Sequence, residues 1–130
     1  MGRNVRAILD TSIVIAADAA PIPGELAISA ATMAELHFGV LIAKDEQARA
    51  DRLRRLSALA KRFDPLPVDD AVAASYGELA AAVARSGRKP RARTMDLLIA
   101  ATAHAHDARL YTRNIKDFIP LQDFIEIDEA

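Results

Sequence analysis

The sequence contains no cysteine and no tryptophan. Without thiols, the chain cannot form disulfides, bind a metal through thiolates or use a cysteine nucleophile. Its formal net charge is −1, so any attraction to nucleic acid must come from local clusters of basic residues. No apolar run approaches the ~20 residues that cross a bilayer, and the first residues lack a signal-peptide pattern. We therefore expect a soluble, cytoplasmic protein without membrane partners.

Short apolar segments alternate with helical patterns over the 130 residues. Strand-like segments occupy residues 6–9, 26–29, 109–112 and 124–127. Helical patterns separate them, and the pattern that follows the second strand begins at Thr32. This alternation is typical of βαβ units, so we predict an α/β fold with a mostly parallel sheet. A chain of this length fits one domain, residues 1–130, which buries roughly two thirds of its unfolded surface.

Asp10 directly follows the first predicted strand, whose apolar residues suit burial on both faces. Ligands of open α/β sheets bind beyond the carboxyl ends of the strands, so this carboxylate lies where functional groups are expected. Thr11 and Ser12 are suitable N-caps for a following helix. Asp10 could equally be a helix cap itself, and its local sequence leaves both interpretations open.

Glu35 and Asp96 occur early in two predicted helices. Thr32 to Glu35 matches a capping box, which would give the glutamate a purely structural role. Asp96 follows the plausible cap Thr94, and the helix dipole stabilises such a carboxylate by ~0.3–1 kcal/mol. However, apolar residues surround Asp96 in sequence, and a buried carboxylate is costly without a cation.

Asn114 and Asp117 follow the predicted strand that ends at Thr112, and both residue types are common in turns. Together with Asp10 and Asp96, they place several carboxylates at one sheet edge. Two unit charges ~4 Å apart repel by about 1 kcal/mol in water and about 4 kcal/mol at an effective dielectric of 20. Such a cluster calls for a cation, and oxygen-only ligands favour Mg²⁺ or Mn²⁺.

Four segments resemble, in order, the motifs of PIN-domain ribonucleases, and most closely those of VapC-type toxins. They are residues 8–12, residues 34–36 with Gly39, residues 96–103 and residues 112–118. The resemblance spans almost the whole chain. It implies an α/β/α sandwich, a Mg²⁺- or Mn²⁺-dependent endoribonuclease activity, a cognate VapB-like antitoxin and a homodimer.

The resemblance also assigns candidate site residues. Asp10, Glu35 and Asp96 match the acidic residues of the family, and Asp117 is the ionised candidate for the fourth because residue 114 is asparagine. Either Thr11 or Ser12 is expected to orient Asp10. The full set predicted to support the acidic residues is Thr11, Ser12, Thr112 and Asn114.

An RNA substrate needs positive charge around this acidic centre. The candidates are Arg88, Lys89, Arg91, Arg93 and Arg113, of which the first four precede the Asp96 motif and the fifth lies within the last motif. The carboxylate-bound cations would activate a water for attack on the phosphate. Phosphate contacts give affinity and salt dependence, whereas the alternative is that this basic run is only a solvated loop.

Phe38 and Leu41 lie near an apolar stripe bordered by arginines within residues 49–62. This face is predicted to receive an antitoxin helix or strand, or a second copy of the chain. Two other functions compete. One is a catalytically inert PIN-like binding module, and the other is a haloacid-dehalogenase-type phosphatase, which needs a second aspartate where this chain has Ser12. A nucleotide-binding module is disfavoured because no Gly-rich phosphate loop is present.

Overall fold

The computed structural model describes residues 6–16, 22 and 24–130, so residues 1–5, 17–21 and 23 of the predicted 1–130 domain lie outside it. The helices are α1 Thr11–Val14, α2 Ala30–Leu41, α3 Glu46–Arg62, α4 Asp70–Arg85 and α5 Thr94–Ala105. The strands are β1 Arg6–Leu9, β2 Glu25–Ala27, β3 Arg109–Thr112 and β4 Ile127–Glu129. Two 3₁₀ segments, Pro90–Arg93 and Ile115–Leu121, precede α5 and follow β3.

The four strands form one sheet in the order β2-β1-β3-β4, and every neighbouring pair is parallel. Parallel neighbours require crossover connections, which the helices provide. The predicted α/β fold with a mostly parallel sheet is therefore confirmed. β1 and β3 are the two central strands, and the register pairs Leu9 with Tyr111 at their carboxyl ends.

Helices cover both faces of the sheet, as the resemblance implied. Ile8 and Leu110 belong to a core cluster with residues of α4 and α5, including Leu79. The next residue along β1, Leu9, packs instead with Ile13 of α1 and with Tyr111. Successive strand residues point to opposite faces, so a strand buried on both sides is apolar at every position.

Three predicted segments have other boundaries in the structure, and the second strand is one of them, since it runs over Glu25–Ala27 rather than residues 26–29. Helix α2 begins at Ala30 rather than near Thr32, because the Ser29 side chain caps it by accepting from the N–H of Ala31 at 3.0 Å. The last strand begins at Ile127 rather than at Phe124. The N–H groups of Phe124 and Ile125 both donate to the carbonyl of Leu121, which turns the chain and keeps it out of the sheet.

Gly87 ends helix α4 and starts the basic segment that leads to α5. Its φ of 86° lies in the left-handed region that glycine adopts without a steric penalty, as helix C-caps often require. The N–H of Arg88 then donates to the carbonyl of Val83 at 3.2 Å, closing the helix end. Within the described ranges, no helix combines the length and apolarity that a membrane crossing requires.

Candidate active site

Asp10 lies where β1 ends beside β3. Its backbone N–H donates to the carbonyl of Tyr111 at 2.9 Å, and only 4% of the residue is exposed. It occupies the N-cap position of α1, but its side chain makes no capping hydrogen bond. Instead, its Oδ2 accepts from the hydroxyls of Ser12 at 2.7 Å and Thr112 at 2.9 Å. The helix-cap interpretation of the Asp10 carboxylate is therefore wrong.

Backbone amides set the direction of these two hydroxyls. The N–H of Arg113 donates to Ser12 Oγ at 3.0 Å, and the N–H of Asn114 donates to Thr112 Oγ1 at 3.0 Å. A hydroxyl that accepts a backbone proton has its own proton available for a carboxylate. Ser12, not Thr11, is thus the neighbouring hydroxyl that orients Asp10, with Thr112 as a second donor, whereas Asn114 contributes through its backbone.

Thr11 serves Glu35 rather than Asp10. Its hydroxyl donates to Glu35 Oε1 at 2.6 Å and also lies 3.2 Å from the hydroxyl oxygen of Thr32. Thr32 is fully buried inside α2, two residues beyond the helix start, so Thr32 and Glu35 do not form a capping box. Glu35 instead contacts α1 through the hydroxyl of Thr11.

Asp96 and Asp117 form the other half of the acidic centre. Asp96 lies in the first turn of α5, and Asp117 lies in the 3₁₀ segment after β3. The Nη1 of Arg93 is 2.7 Å from Asp117 Oδ1 and 3.6 Å from Asp96 Oδ2. Arg93 rather than Thr94 is the N-cap residue of α5, and the Thr94 hydroxyl donates to the carbonyl of Arg91.

The four carboxylates share one electrostatic environment. Burial, followed by the charges of Asp10, Asp117 and Glu35, raises the pKa of Asp96 to about 6, and Arg93 opposes the rise. Hydrogen bonding to Asp117 in turn raises the pKa of the Arg93 guanidinium. A raised carboxyl pKa means that the protein penalises the charged form, as expected for a partly buried carboxyl that has like charges nearby.

The acidic side chains are near one another but are not arranged as a set of metal ligands. In the part of the chain that the structure describes, no three acidic or histidine side chains form a group that could hold a metal ion as they stand. Two of the four predicted ligands, Asp96 and Asp117, are turned towards Arg93. The sequence predicted the cluster, but not that a guanidinium of the same chain would bridge half of it.

A groove of about 480 Å³ runs beside Asp96 and Asp117. Its cationic lining residues are Arg88, Lys89, Arg93 and Lys116, and its apolar lining includes Leu97, Phe118 and Leu121. Three of the five predicted RNA-binding residues thus line the groove. Arg91 is exposed on the preceding 3₁₀ segment, and the backbone of Arg113 is tied to Ser12. A second cavity, of about 970 Å³, is lined by Arg6 and Glu25 and lies at the amino ends of the strands, opposite to the acidic centre.

Sequence reasoning missed Lys116, although it lies inside the last motif between Asn114 and Asp117. The available signal was that Lys116 lies among charged residues, between Arg113 and Asp117, just after a strand ends. Whether its side chain faces the groove depends on the phase of the 3₁₀ segment, which has three residues per turn rather than the 3.6 of an α-helix.

A model of the PIN domain family matches residues 7–119, a range that contains all four carboxylates. The chain belongs to the PIN-domain family. Ribonuclease VapC5 of Mycobacterium tuberculosis is 38% identical over 129 residues, which cover 95% of this chain and 88% of that protein. Ribonuclease VapC8 of the same species is 39% identical over 100 residues, covering 74% of this chain and 88% of that protein.

Solved structures show the same likeness. The VapBC-5 member of the VapBC family of toxin–antitoxin systems from Mycobacterium tuberculosis matches with a TM-score of 0.83 and 37% identity, covering 97% of this chain and 98% of that chain. VapBC2 from Rickettsia felis, bound to a DNA fragment from its promoter, matches with a TM-score of 0.78 and 25% identity, covering 97% and 99%. The predicted resemblance to VapC-type PIN domains is confirmed.

Proposed function

We propose that this PIN domain is a divalent-metal-dependent endoribonuclease that acts as the toxin of a toxin–antitoxin pair. The observation that carries the proposal is the Asp10 carboxylate, buried and held by the hydroxyls of Ser12 and Thr112 at the carboxyl edge of the sheet, within electrostatic range of Asp96. A buried carboxylate oriented by neutral donors has its remaining lone pairs directed for a ligand. The ribonuclease names of the relatives support the same activity.

The donor set fits Mg²⁺ or Mn²⁺. All four candidate ligands, Asp10, Glu35, Asp96 and Asp117, offer carboxylate oxygens, which hard cations prefer. Burial and the neighbouring carboxylates, which raise the pKa of Asp96, penalise its charged form, and a bound cation would lower that penalty. When bound, the cation lowers the pKa of a water and stabilises the charge that develops on the phosphate.

The chain's own residues position the substrate. Arg88, Lys89 and Lys116 lie along the groove beside Asp96, where their charges suit the phosphates of an RNA strand. The apolar groove residues, including Phe118, offer a surface for a nucleobase. Such contacts bind and orient the strand, whereas they carry little information about base sequence.

The antitoxin is proposed to bind the α2–α3 patch, defined as Phe38, Leu41, Ile42 and Leu53, whose exposed fractions are 64%, 76%, 56% and 50%. Arg52 reaches across the patch border and donates to the carbonyl of Gly39 at 2.7 Å. Exposed apolar residues beside arginines suit an amphipathic antitoxin segment that carries acidic residues. Phe38→Glu is expected to weaken binding of the purified antitoxin, whereas Phe124→Glu, at an exposed phenylalanine outside the patch, is not.

A homodimer on the α2–α3 patch is the alternative occupant that the same variants detect. If Phe38→Glu lowers the molar mass of the toxin alone in light scattering but leaves antitoxin binding intact, the patch is a self-association surface. This result would overturn its assignment to the antitoxin.

The activity is tested by incubating the purified protein with total cellular RNA in Mg²⁺, in Mn²⁺ and in EDTA, and by sequencing the new 5′ ends. We expect discrete metal-dependent cleavage that EDTA and the cognate antitoxin both suppress. No cleavage in either metal would favour an inert binding module. A phosphatase of the haloacid-dehalogenase type is disfavoured because Ser12, where that chemistry needs an aspartate, donates to Asp10.

A further inference from the structure

Arg93 lies between the two carboxylates of one half of the acidic centre. Its Nη1 is 2.7 Å from Asp117 Oδ1 and 3.6 Å from Asp96 Oδ2, so one guanidinium contacts acids from two separate elements. Asp10 and Glu35, by contrast, receive hydrogen bonds from neutral hydroxyls. The positive charge of Arg93 therefore falls on the Asp96 and Asp117 half.

A guanidinium and a divalent cation compete for carboxylate oxygens. Arg93 uses Oδ1 of Asp117 and approaches Oδ2 of Asp96, the atoms that a metal would also use. It would also lie close enough to repel an approaching cation. A cation that uses these two oxygens has to displace Arg93 from them, and one that uses the other oxygens binds beside the positive charge of Arg93.

The side chain of Arg93 is exposed enough to move away from the two carboxylates. Its side chain is 41% exposed, and those of Asp96 and Asp117 are about one-third exposed, at 33% and 34%. Ion pairs with this much exposure are weak because water and salt screen them. Arg93 also lines the groove, so its guanidinium can turn from the carboxylates towards a phosphate without leaving the site.

We propose that Arg93 is an internal counter-ion that holds Asp96 and Asp117 together in the metal-free protein and must be displaced when a divalent cation binds. This inference rests on the proposed function, since it assumes that the acidic centre takes a metal. It assigns Arg93 a role beyond RNA binding. The arginine stabilises the metal-free site and competes with the metal.

The test is titration of metal-free protein with Mn²⁺, followed by calorimetry and by the melting temperature, for the wild type, Arg93→Gln and Arg91→Gln. Arg91 is the matched control: it lies two residues away in the same basic segment and makes no ion pair with Asp96 or Asp117. We expect Arg93→Gln to bind Mn²⁺ about two- to fivefold more tightly than the wild type. In EDTA, its melting temperature is expected to fall.

The outcomes separate this proposal from the proposed function. An equal gain in Mn²⁺ affinity in both variants would reflect only the lost long-range charge and would overturn the counter-ion role. Weaker Mn²⁺ binding by Arg93→Gln would also overturn it, since Arg93 would then support the metal site. If no variant binds Mn²⁺ while the wild type cleaves no RNA, the proposed function itself fails. Wild-type cleavage and binding with unchanged affinity in Arg93→Gln would overturn only the counter-ion role.

Discussion

The two halves of the acidic centre are held in different ways. Asp10 is buried and receives two hydroxyl hydrogen bonds, and Glu35 receives one from Thr11. Asp96 and Asp117 are one-third exposed and share the guanidinium of Arg93. Hydroxyl donors remain compatible with a bound cation, whereas a guanidinium competes with it. Asp10 and Glu35 are therefore oriented before a cation binds, whereas Asp96 and Asp117 are proposed to pair either with Arg93 or with the cation.

Changes to the oriented half should have the largest effect on activity. Asp10→Asn is expected to reduce metal-dependent RNA cleavage by at least about 100-fold, because it removes a charge that the cation needs. The fold should survive, since an amide oxygen can accept from both Ser12 and Thr112 as Oδ2 does. Cleavage rates and circular dichroism melting curves test this, and wild-type cleavage by Asp10→Asn would remove Asp10 from the site.

Loss of the orienting hydroxyl should have a smaller effect. Ser12→Ala removes a donor to Asp10 and leaves the N–H of Arg113 without its acceptor. We expect about a 10- to 100-fold loss in metal affinity or cleavage and about 1–2 kcal/mol lower free energy of unfolding.

The matched control for that variant is Ser57→Ala, at an exposed serine of α3. Mn²⁺ titration, cleavage rates and urea denaturation give the comparison. If Ser12→Ala loses stability but keeps wild-type metal affinity and cleavage, the hydroxyl is structural only.

The half of the centre that contains Asp96 and Asp117 should make the stability of the protein depend on pH. The folded-state pKa of Asp96 is about 6, above the ordinary aspartate value of 3.8, so the native state holds more protons than the unfolded state between these pH values. Its contribution to the free energy of unfolding therefore falls as pH rises from about 4 to 6. With its partial exposure taken into account, we expect a fall of about 1–2 kcal/mol.

Asp96→Asn should remove this fall. The free energy of unfolding in EDTA, measured for both proteins from pH 4 to 7, should diverge in favour of the variant as pH rises. Parallel curves would mean that the burial and the neighbouring charges of Asp96 do not penalise its charged form.

The smallest expected effect concerns the groove. Lys116→Gln should weaken RNA binding a few-fold, and the slope of log affinity against log salt should decrease by about 1. Fluorescence anisotropy with a single-stranded RNA in Ca²⁺ or EDTA measures binding without cleavage. Arg55→Gln, at an exposed arginine of α3, removes the same charge elsewhere. Equal losses in both variants would indicate general electrostatics rather than a contact in the groove.

Much of the fold was predictable because local patterns and global topology agree. The apolar residues of β1 predicted a strand buried on both faces, and Ala7 and Ile8 are almost completely buried. The boundary errors arose where a side chain or a carbonyl outside the periodic pattern accepts the backbone hydrogen bonds that set the end of an element. Ser29 caps α2 before the apolar spacing begins, and the carbonyl of Leu121 captures the amides of Phe124 and Ile125.

The sequence by itself determined the parallel α/β topology, the family and the position of Asp10 at a strand end, since strand periodicity and motif order depend on local residues. Only the tertiary structure decided which donor meets which acid. Thr11 and Ser12 are adjacent in sequence but about 100° apart around α1, so one contacts Glu35 and the other Asp10. Likewise, the meeting of Arg93 with Asp117 requires the start of α5 and the 3₁₀ segment after β3 to approach each other. No local pattern encodes that contact, because it depends on the packing of distant elements.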